Sequence, residues 1–189
     1  MTGNRVVNSN SETFPLRGER VELRPLEPSD IEAMAPFFGD VEEIYYYLPD
    51  TLLPRNLTQL HTMMDEWNDG KTNFVFACRH RDETIGLVTL SDLDPVAGNA
   101  EVGIMIAGRA YRGHGLASDA MKLVLDYAFG ELRLHRICAC VAPANFSSIS
   151  LFKRLGFVEE GRMREVMRRG QGFVDLLLFG LLEDEYRKR

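Results

Sequence analysis

At 189 residues, with 45% apolar and 26% charged side chains, the chain has the size and make-up of one soluble globular domain with a sizeable core. Its 28 acids against 22 bases give a net charge of −6, which disfavours a dedicated nucleic-acid binder, and no apolar run approaches the ~20 residues of a membrane span. Three cysteines, Cys78, Cys138 and Cys140, lack the number and spacing of a disulfide framework or a zinc site, so no metal is expected and the thiols read as buried core groups.

The opening "MTGNRVVNSNSETF" is polar and has no apolar h-region. Residues 1–14 therefore read as a loose tail, residues 15–189 as a single domain, and a cytoplasmic location is expected. "RVELRPL" alternates as a strand, and "EPSDIEAMAPFF" opens a helix with Ser29 or Asp30 as its N-cap. "GDVEEIYYYLPDTLLPRN", broken by Pro49 and Pro54, predicts an irregular loop or short helices. "LTQLHTMMDEWNDG" carries apolar residues at helical spacing and stops at Gly70.

"NFVFACRH" and "TIGLVTLSDL" predict two strands joined by a charged turn, and "AEVGIMIA" follows the turn cluster "DPVAGN". A helix then runs from about Leu116 to Phe129. "RICACV" is the next strand, with Cys138 and Cys140 on one face. "NFSSISLFKRLG" gives a short helix ending at Gly156, and "FVEEGRMREVM" and "GFVDLLLFGLL" form a hairpin turning at "RRGQG". Glu183 to Arg189 adds a terminal helical turn. The fold class is α+β (α/β in looser usage): a mixed, mainly antiparallel sheet flanked by helices.

The segment from Arg112 to Ala117, "RGHGLA", carries two glycines and an arginine into a helix start. The first N–H groups of a helix lack intrahelical partners, and its dipole leaves about half a positive charge there. Glycines let such a backbone approach an anion closely, and Arg112 adds a charged donor. A phosphate or diphosphate cradle fits these residues, and so does a plain turn leading into the helix. The match to a dinucleotide fingerprint is poor, because Ser118 stands where its third glycine belongs.

"RGHGLA" also resembles the Arg/Gln-x-x-Gly-x-Gly/Ala signature of the GCN5-related N-acetyltransferase (GNAT) superfamily, through Arg112, Gly115 and Ala117. "NFSSISLFKRLGF" is similar to that family's second segment, through Asn145, Ser148, Leu151, Phe152, Gly156 and Phe157. The similarity covers roughly residues 16 to 186 and lies nearest the branch of ribosomal-protein N-terminal and spermidine acetyltransferases. The resemblance implies a sheet splayed at the cofactor strand and acetyl-CoA as co-substrate. Arg112, Gly113, His114, Gly115, Leu116 and Ala117 would wrap its pyrophosphate. The backbone of Met105, Ile106 and Ala107 would meet pantetheine and polarise the thioester carbonyl. Asn145 would contact the pantetheine arm, in addition to serving as a helix N-cap, and Phe152 would line the cofactor wall or the core.

Acetyl transfer to an amine needs a proton acceptor, since an alkylamine has a pKa of about 10.4. Glu101 is the candidate base, with a solvated strand-end carboxylate as the other reading; Glu160 and Asp175 on the hairpin follow. Many relatives have tyrosine at the position of Phe152, where its hydroxyl protonates the departing thiolate. Phenylalanine has no such proton, so Ser148, Ser150 or a water would stand in. Asp40, Glu42, Glu43, Asp50 and the tyrosines beside them would suit a cationic acceptor, or simply stabilise a loop. Arg162, Arg164, Arg168 and Arg169 make a basic hairpin that would meet the cofactor's 3′-phosphate, meet an acidic partner, or stay solvated. The expected activity is acetyl-CoA-dependent N-acetyltransfer by direct attack of a primary amine, a protein or peptide α-amine first. Polyamines and aminosugars are the alternative acceptors, and a CoA-binding module without turnover is the alternative of another class. The resemblance also implies a homodimer.

Overall fold

The computed structural model describes residues 14–45, 47 and 55–189, with side chains omitted at Glu42 and Glu43. Within them the chain orders as β1 (Leu16–Arg17), β2 (Glu22–Pro25), α1 (Pro28–Phe38), α2 (Val41–Ile44), α3 (Leu57–Trp67), β3 (Phe74–His80), β4 (Glu83–Asp94) and β5 (Asn99–Ile106). A 3-10 turn, Arg109–Tyr111, precedes α4 (Leu116–Gly130). Then come β6 (Arg136–Val141), α5 (Phe146–Leu155), β7 (Val158–Arg169), β8 (Gly172–Leu182) and α6 (Glu183–Arg187).

The strands form one sheet in the order β1-β2-β3-β4-β5-β6-β8-β7. Every pairing is antiparallel except β5 with β6. The sheet separates two apolar layers. On one face α4 and α5 bury Met121, Val124, Leu125, Leu151 and Phe152 against Val88, Val102, Ile137 and Phe179. On the other, α1 and α3 bury Met34, Phe38, Leu60 and Met64 against Val75, Leu87 and Met105. Side-chain alternation along β5 and β6 assigns their faces. Ile137, Ala139 and Val141 are buried toward α4, while Cys138 and Cys140 are half-buried on the α3 side, paired in register with Glu101 at Cys138. The expectation of buried core thiols therefore holds for Cys78, which is 0% exposed, and not for the β6 pair.

The predicted elements are present, with local differences. The N-cap of α1 is Glu27, not Ser29 or Asp30. Pro28 takes the first helical position, and Asp30 stands three residues after the cap, accepting the Glu27 N–H at 2.9 Å. Asp30 is 1% exposed and also accepts from Arg24 (2.8 Å) and Thr84, tying β2, α1 and β4 together. The two-residue strand β1 went unpredicted because it is too short for alternation to show. The hairpin turn at Gly170 and the chain-terminal helix match the expected positions.

β5 and β6 pair only over Asn99↔Arg136, Ala100↔Ile137 and Glu101↔Cys138. Beyond those three positions both strands continue, to Ile106 and Val141, without pairing to each other. A parallel pair that stops midway leaves backbone N–H and C=O groups on both edges without sheet partners.

Candidate active site

Which groups face that gap follows from the register with β4. The Ala107 N–H donates to the Ile85 carbonyl at 2.8 Å. Antiparallel parity then turns the polar groups of Met105 and Ala107 toward β4, and those of Ile104 and Ile106 toward the gap. A donation from Arg112 Nη2 to the Ile106 carbonyl (3.4 Å) reports the same orientation. Of the three backbones expected to meet a cofactor, only Ile106 turns its peptide groups to the gap, as Ile104 also does, while those of Met105 and Ala107 face β4. Sequence patterning gives side-chain faces but not this backbone parity.

At the far end of the gap the chain turns into α4. Gly113 and Gly115 have φ of +80° and +78°, a left-handed backbone that side chains rarely adopt. Gly115 is the N-cap of α4, and no side chain caps the helix. Asp119, in the first turn, looks away: its carboxylate accepts the N–H groups of Arg20 (2.8 Å) and Val21 (3.1 Å). The Arg20 guanidinium in turn donates to the His114 carbonyl. These bonds brace the turn from behind and leave the positive end of α4 open. A cleft of about 760 Å³ lies in front of it, lined by Ile106, Arg112, Gly113, Gly115, Ala117, Ser148 and Arg154 among others. Leu116 lines the cleft and is otherwise buried, while His114 is exposed and does not line it. Two guanidinium groups, an uncapped helix start and open space beside Gly113 fit a diphosphate.

A second cavity, about 520 Å³, opens on the α3 side of the same gap. Ile104, Ser148 and Tyr47 line both spaces, so the two clefts meet at the middle of the splay. Its walls carry Glu101, Cys140, Asn145, Ser148 and Phe152, as well as Glu66, Trp67, Asn73, Thr89 and Ser91. Asn145 caps α5 by accepting the Ser148 N–H at 3.1 Å. Phe152 is 3% exposed, packs edge-on to Phe157 (4.9 Å) and stacks on Phe179 (6.2 Å), so it is core and cavity wall together.

Among the described residues Glu101 has no ion pair. Burial first, and then the nearby Asp92 charge, push its carboxyl above the ordinary carboxylate range, while the Cys140 S–H, at 3.8 Å from Oε2, works the other way. The side chain is half-buried rather than solvated, a setting in which a carboxylate can accept a proton. The hairpin carboxylates differ. Glu160 is held by both guanidinium nitrogens of Arg136 and lies below its ordinary range because of them. Asp175 accepts from Arg162 (2.7 Å) and the Glu165 N–H (2.8 Å). Neither lines the cavity, so both are structural.

The basic hairpin also resolves. Arg169 donates to the Tyr45 carbonyl (2.7 Å) and stacks over the Tyr45 ring, and none of Arg162, Arg164, Arg168 or Arg169 lines the cleft at α4. Arg154, which the sequence reading did not single out, does line it. Glu66, Trp67 and Asn73 were likewise missed, whereas Tyr47 is one of the tyrosines that the acidic run had offered. The three come from the end of α3 and the loop after it, far from both motifs, and only the lone tryptophan was unusual in itself. Of the acidic and aromatic run, Tyr46 and Asp50 and the side chains of Glu42 and Glu43 lie outside the described residues. Among the described residues no cluster of ligating side chains could hold a metal ion.

Comparison with known proteins meets this geometry from outside. The acetyltransferase (GNAT) domain family matches residues 20–158. An uncharacterised N-acetyltransferase of Bacillus licheniformis is 33% identical over 171 residues, 89% of this chain and 96% of that protein. A Bacillus subtilis protein provisionally named a ribosomal N-acetyltransferase is 30% identical, covering 89% of this chain and 94% of its own. Among solved structures, spermidine N-acetyltransferase from Vibrio cholerae, in complex with CoA and spermine, superposes with a TM-score of 0.80 at 25% identity, over 89% of this chain and 98% of that one.

Proposed function

This chain belongs to the GNAT acetyltransferase family and transfers an acetyl group to an amine, and we propose that it does so by direct attack of a primary amine of a cationic acceptor, a peptide N-terminus in the first instance. The observation that carries this reading is the Glu101 carboxylate: without an ion pair among the described residues, partly desolvated and set on the wall of a cavity that opens from the β5–β6 gap.

Acetyl-CoA supplies a thioester whose thiolate leaves readily, the reference thiol pKa being about 8.5. The chain's residues do the rest. Arg112 and the open start of α4 bind the diphosphate. The backbone groups of Ile104 and Ile106 take the place of a missing strand partner for the pantetheine arm, and one N–H there stabilises charge on the carbonyl oxygen. Glu101 removes the proton that keeps an alkylamine unreactive near neutral pH. Phe152 and Met105 keep the cavity wall apolar, which strengthens each of these interactions.

Glu66, Glu101, Tyr47 and Trp67 give the acceptor side two carboxylates and two aromatic rings, a lining that favours an ammonium group. A polyamine satisfies the same lining, and the likeness to a spermidine acetyltransferase supports it as the second reading. Acetyl-CoA-dependent product formation with peptides, spermidine, aminosugars and aminoglycosides separates them. The expected result is turnover with peptides bearing a free N-terminus and none with N-blocked ones. Turnover confined to polyamines would transfer the site to the second reading. Silence with every amine, despite acetyl-CoA binding, would favour a binding module without turnover.

A further inference from the structure

Removing a proton from the amine is half of the proton account. The other half is the sulfur that leaves: its thiolate ends as a thiol near neutral pH, and one of the two protons that an ammonium gives up on becoming an amide can supply it. Phe152, on the wall at the α5 side, has none to give. The wall does hold a thiol. Cys140 lies on β6, facing the cavity, and its Sγ–H points at Glu101 Oε2. Its neighbour on the same face, Cys138, is committed elsewhere, donating to the Ala100 carbonyl at 3.5 Å.

We propose that Cys140 is a catalytic proton relay, passing to the departing thiolate the proton that Glu101 takes from the amine. The proposal rests on Glu101 as the base. In the step, the Cys140 S–H bond breaks as its proton goes to the thiolate sulfur, and the Glu101 O–H bond breaks as its proton restores the Cys140 thiol. On going from ammonium to amide the nitrogen loses two protons: the leaving sulfur gains one through the relay, the other passes to solvent, and both side chains return to their starting forms without any redox change. Burial and the Glu101 charge push the Cys140 thiol up to about 12, so it stays protonated and is no nucleophile. A thiol that weakly acidic cannot give up its proton alone to a thiolate of ordinary basicity. The return from Glu101 must accompany the donation, which is why contact between the two matters.

The test uses the full chain with Cys140→Ala, Cys140→Ser and Cys138→Ala, following acetylated amine by mass spectrometry, with acetyl-CoA affinity by calorimetry alongside. Cys140→Ala should lower kcat about 100-fold, the low end of general acid–base contributions. Its acetyl-CoA affinity and acceptor KM should stay within about twofold of wild type, on the scale of interactions not made in the ground state. Cys140→Ser, which restores a movable proton, should recover most of the loss, and Cys138→Ala should match wild type. An activity-free readout is the infrared S–H stretch of the protein alone, which should move toward the unbonded position in Glu101→Ala. Wild-type kcat in Cys140→Ala, no rescue by serine, an equal loss in Cys138→Ala, or an unmoved S–H band would each overturn the relay. A wild type that binds acetyl-CoA yet acetylates no amine would overturn the acceptor reading instead, and the relay with it.

Discussion

At Glu101 burial and two neighbours set one titration. Desolvation and the Asp92 charge raise its pKa, and the Cys140 S–H bond lowers it; Cys138 also faces it across the paired end of β5 and β6. A base acts in its ionised form, so the raised value moves the acid limb of kcat/KM above the ordinary carboxylate range. Activity should fall as pH drops through that limb, and Asp92→Asn should shift it to lower pH. A pH–rate profile checks the sign. Glu101→Gln should lower kcat about 100-fold with little change in acceptor KM, since general-base contributions are on that order. A different residue, Asp30, acts only on stability. Asp30→Ala strands the Arg24 guanidinium and the Glu27 N–H, and should cost about 3 kcal/mol in denaturant unfolding, as buried pairs broken from one side do.

Between elements, the close approach of β4 to β5 fixes the backbone parity on which the site depends. A Cβ added at Gly86 would stand 2.1 Å from the Met105 carbonyl oxygen, and that oxygen belongs to backbone. Gly86→Ala must push β5 away, so the melting temperature should fall by roughly 5 °C or more. Acetyl-CoA affinity should fall with it, because β5 carries Ile104 and Ile106. The loop between α3 and β3 is a second joint. Asp69 accepts the N–H groups of Lys71 (2.8 Å), Thr72 (2.9 Å) and Asn73 (2.8 Å), which hold its carboxyl well below the usual carboxylate range. A depressed native pKa stabilises the fold above the unfolded value, about 3.9, and the benefit is lost as pH falls below it. Asp69→Ala should therefore lower the melting temperature at neutral pH and show a shallower loss on acidification than wild type.

Element by element, much of this was legible beforehand. Alternation and helical spacing placed β2 to β8 and α3, α4 and α5, and the glycines with Arg112 pointed to the turn into α4, as an anion cradle or a plain helix entry. What stayed hidden depends on contacts between distant segments. The α1 cap moved to Glu27 because Asp30 bonds back to it and outward to Arg24. The peptide groups of Met105 and Ala107 face β4, and those of Ile104 face the gap, because the hydrogen bond from Ala107 to Ile85 sets which edge each one turns to. The half-exposed Cys140 read as core, since its strand gives no sign that its neighbour peels away.

Over the whole molecule, one continuous opening crosses the sheet. It starts at the braced, uncapped end of α4, follows the unpaired edge of β5 and finishes among the carboxylates and rings beside α3. A net charge of −6 coexists with Arg112 and Arg154 at the anion end, so charge is sorted along the opening rather than spread evenly. Acetyl-CoA should therefore stabilise the fold by mass action, by about 2.7 kcal/mol at a hundred times its Kd. The most direct test of the site is calorimetric binding of acetyl-CoA to wild type, Gly115→Asn and Gly115→Asp. Both substitutions add the same shape at φ +78°, and only the second adds a charge. The cradle predicts that the aspartate variant binds at least ~10-fold more weakly than the asparagine variant, as expected for a charge set against a diphosphate. Equal binding by the two variants would contradict a diphosphate seat at Arg112–Ala117.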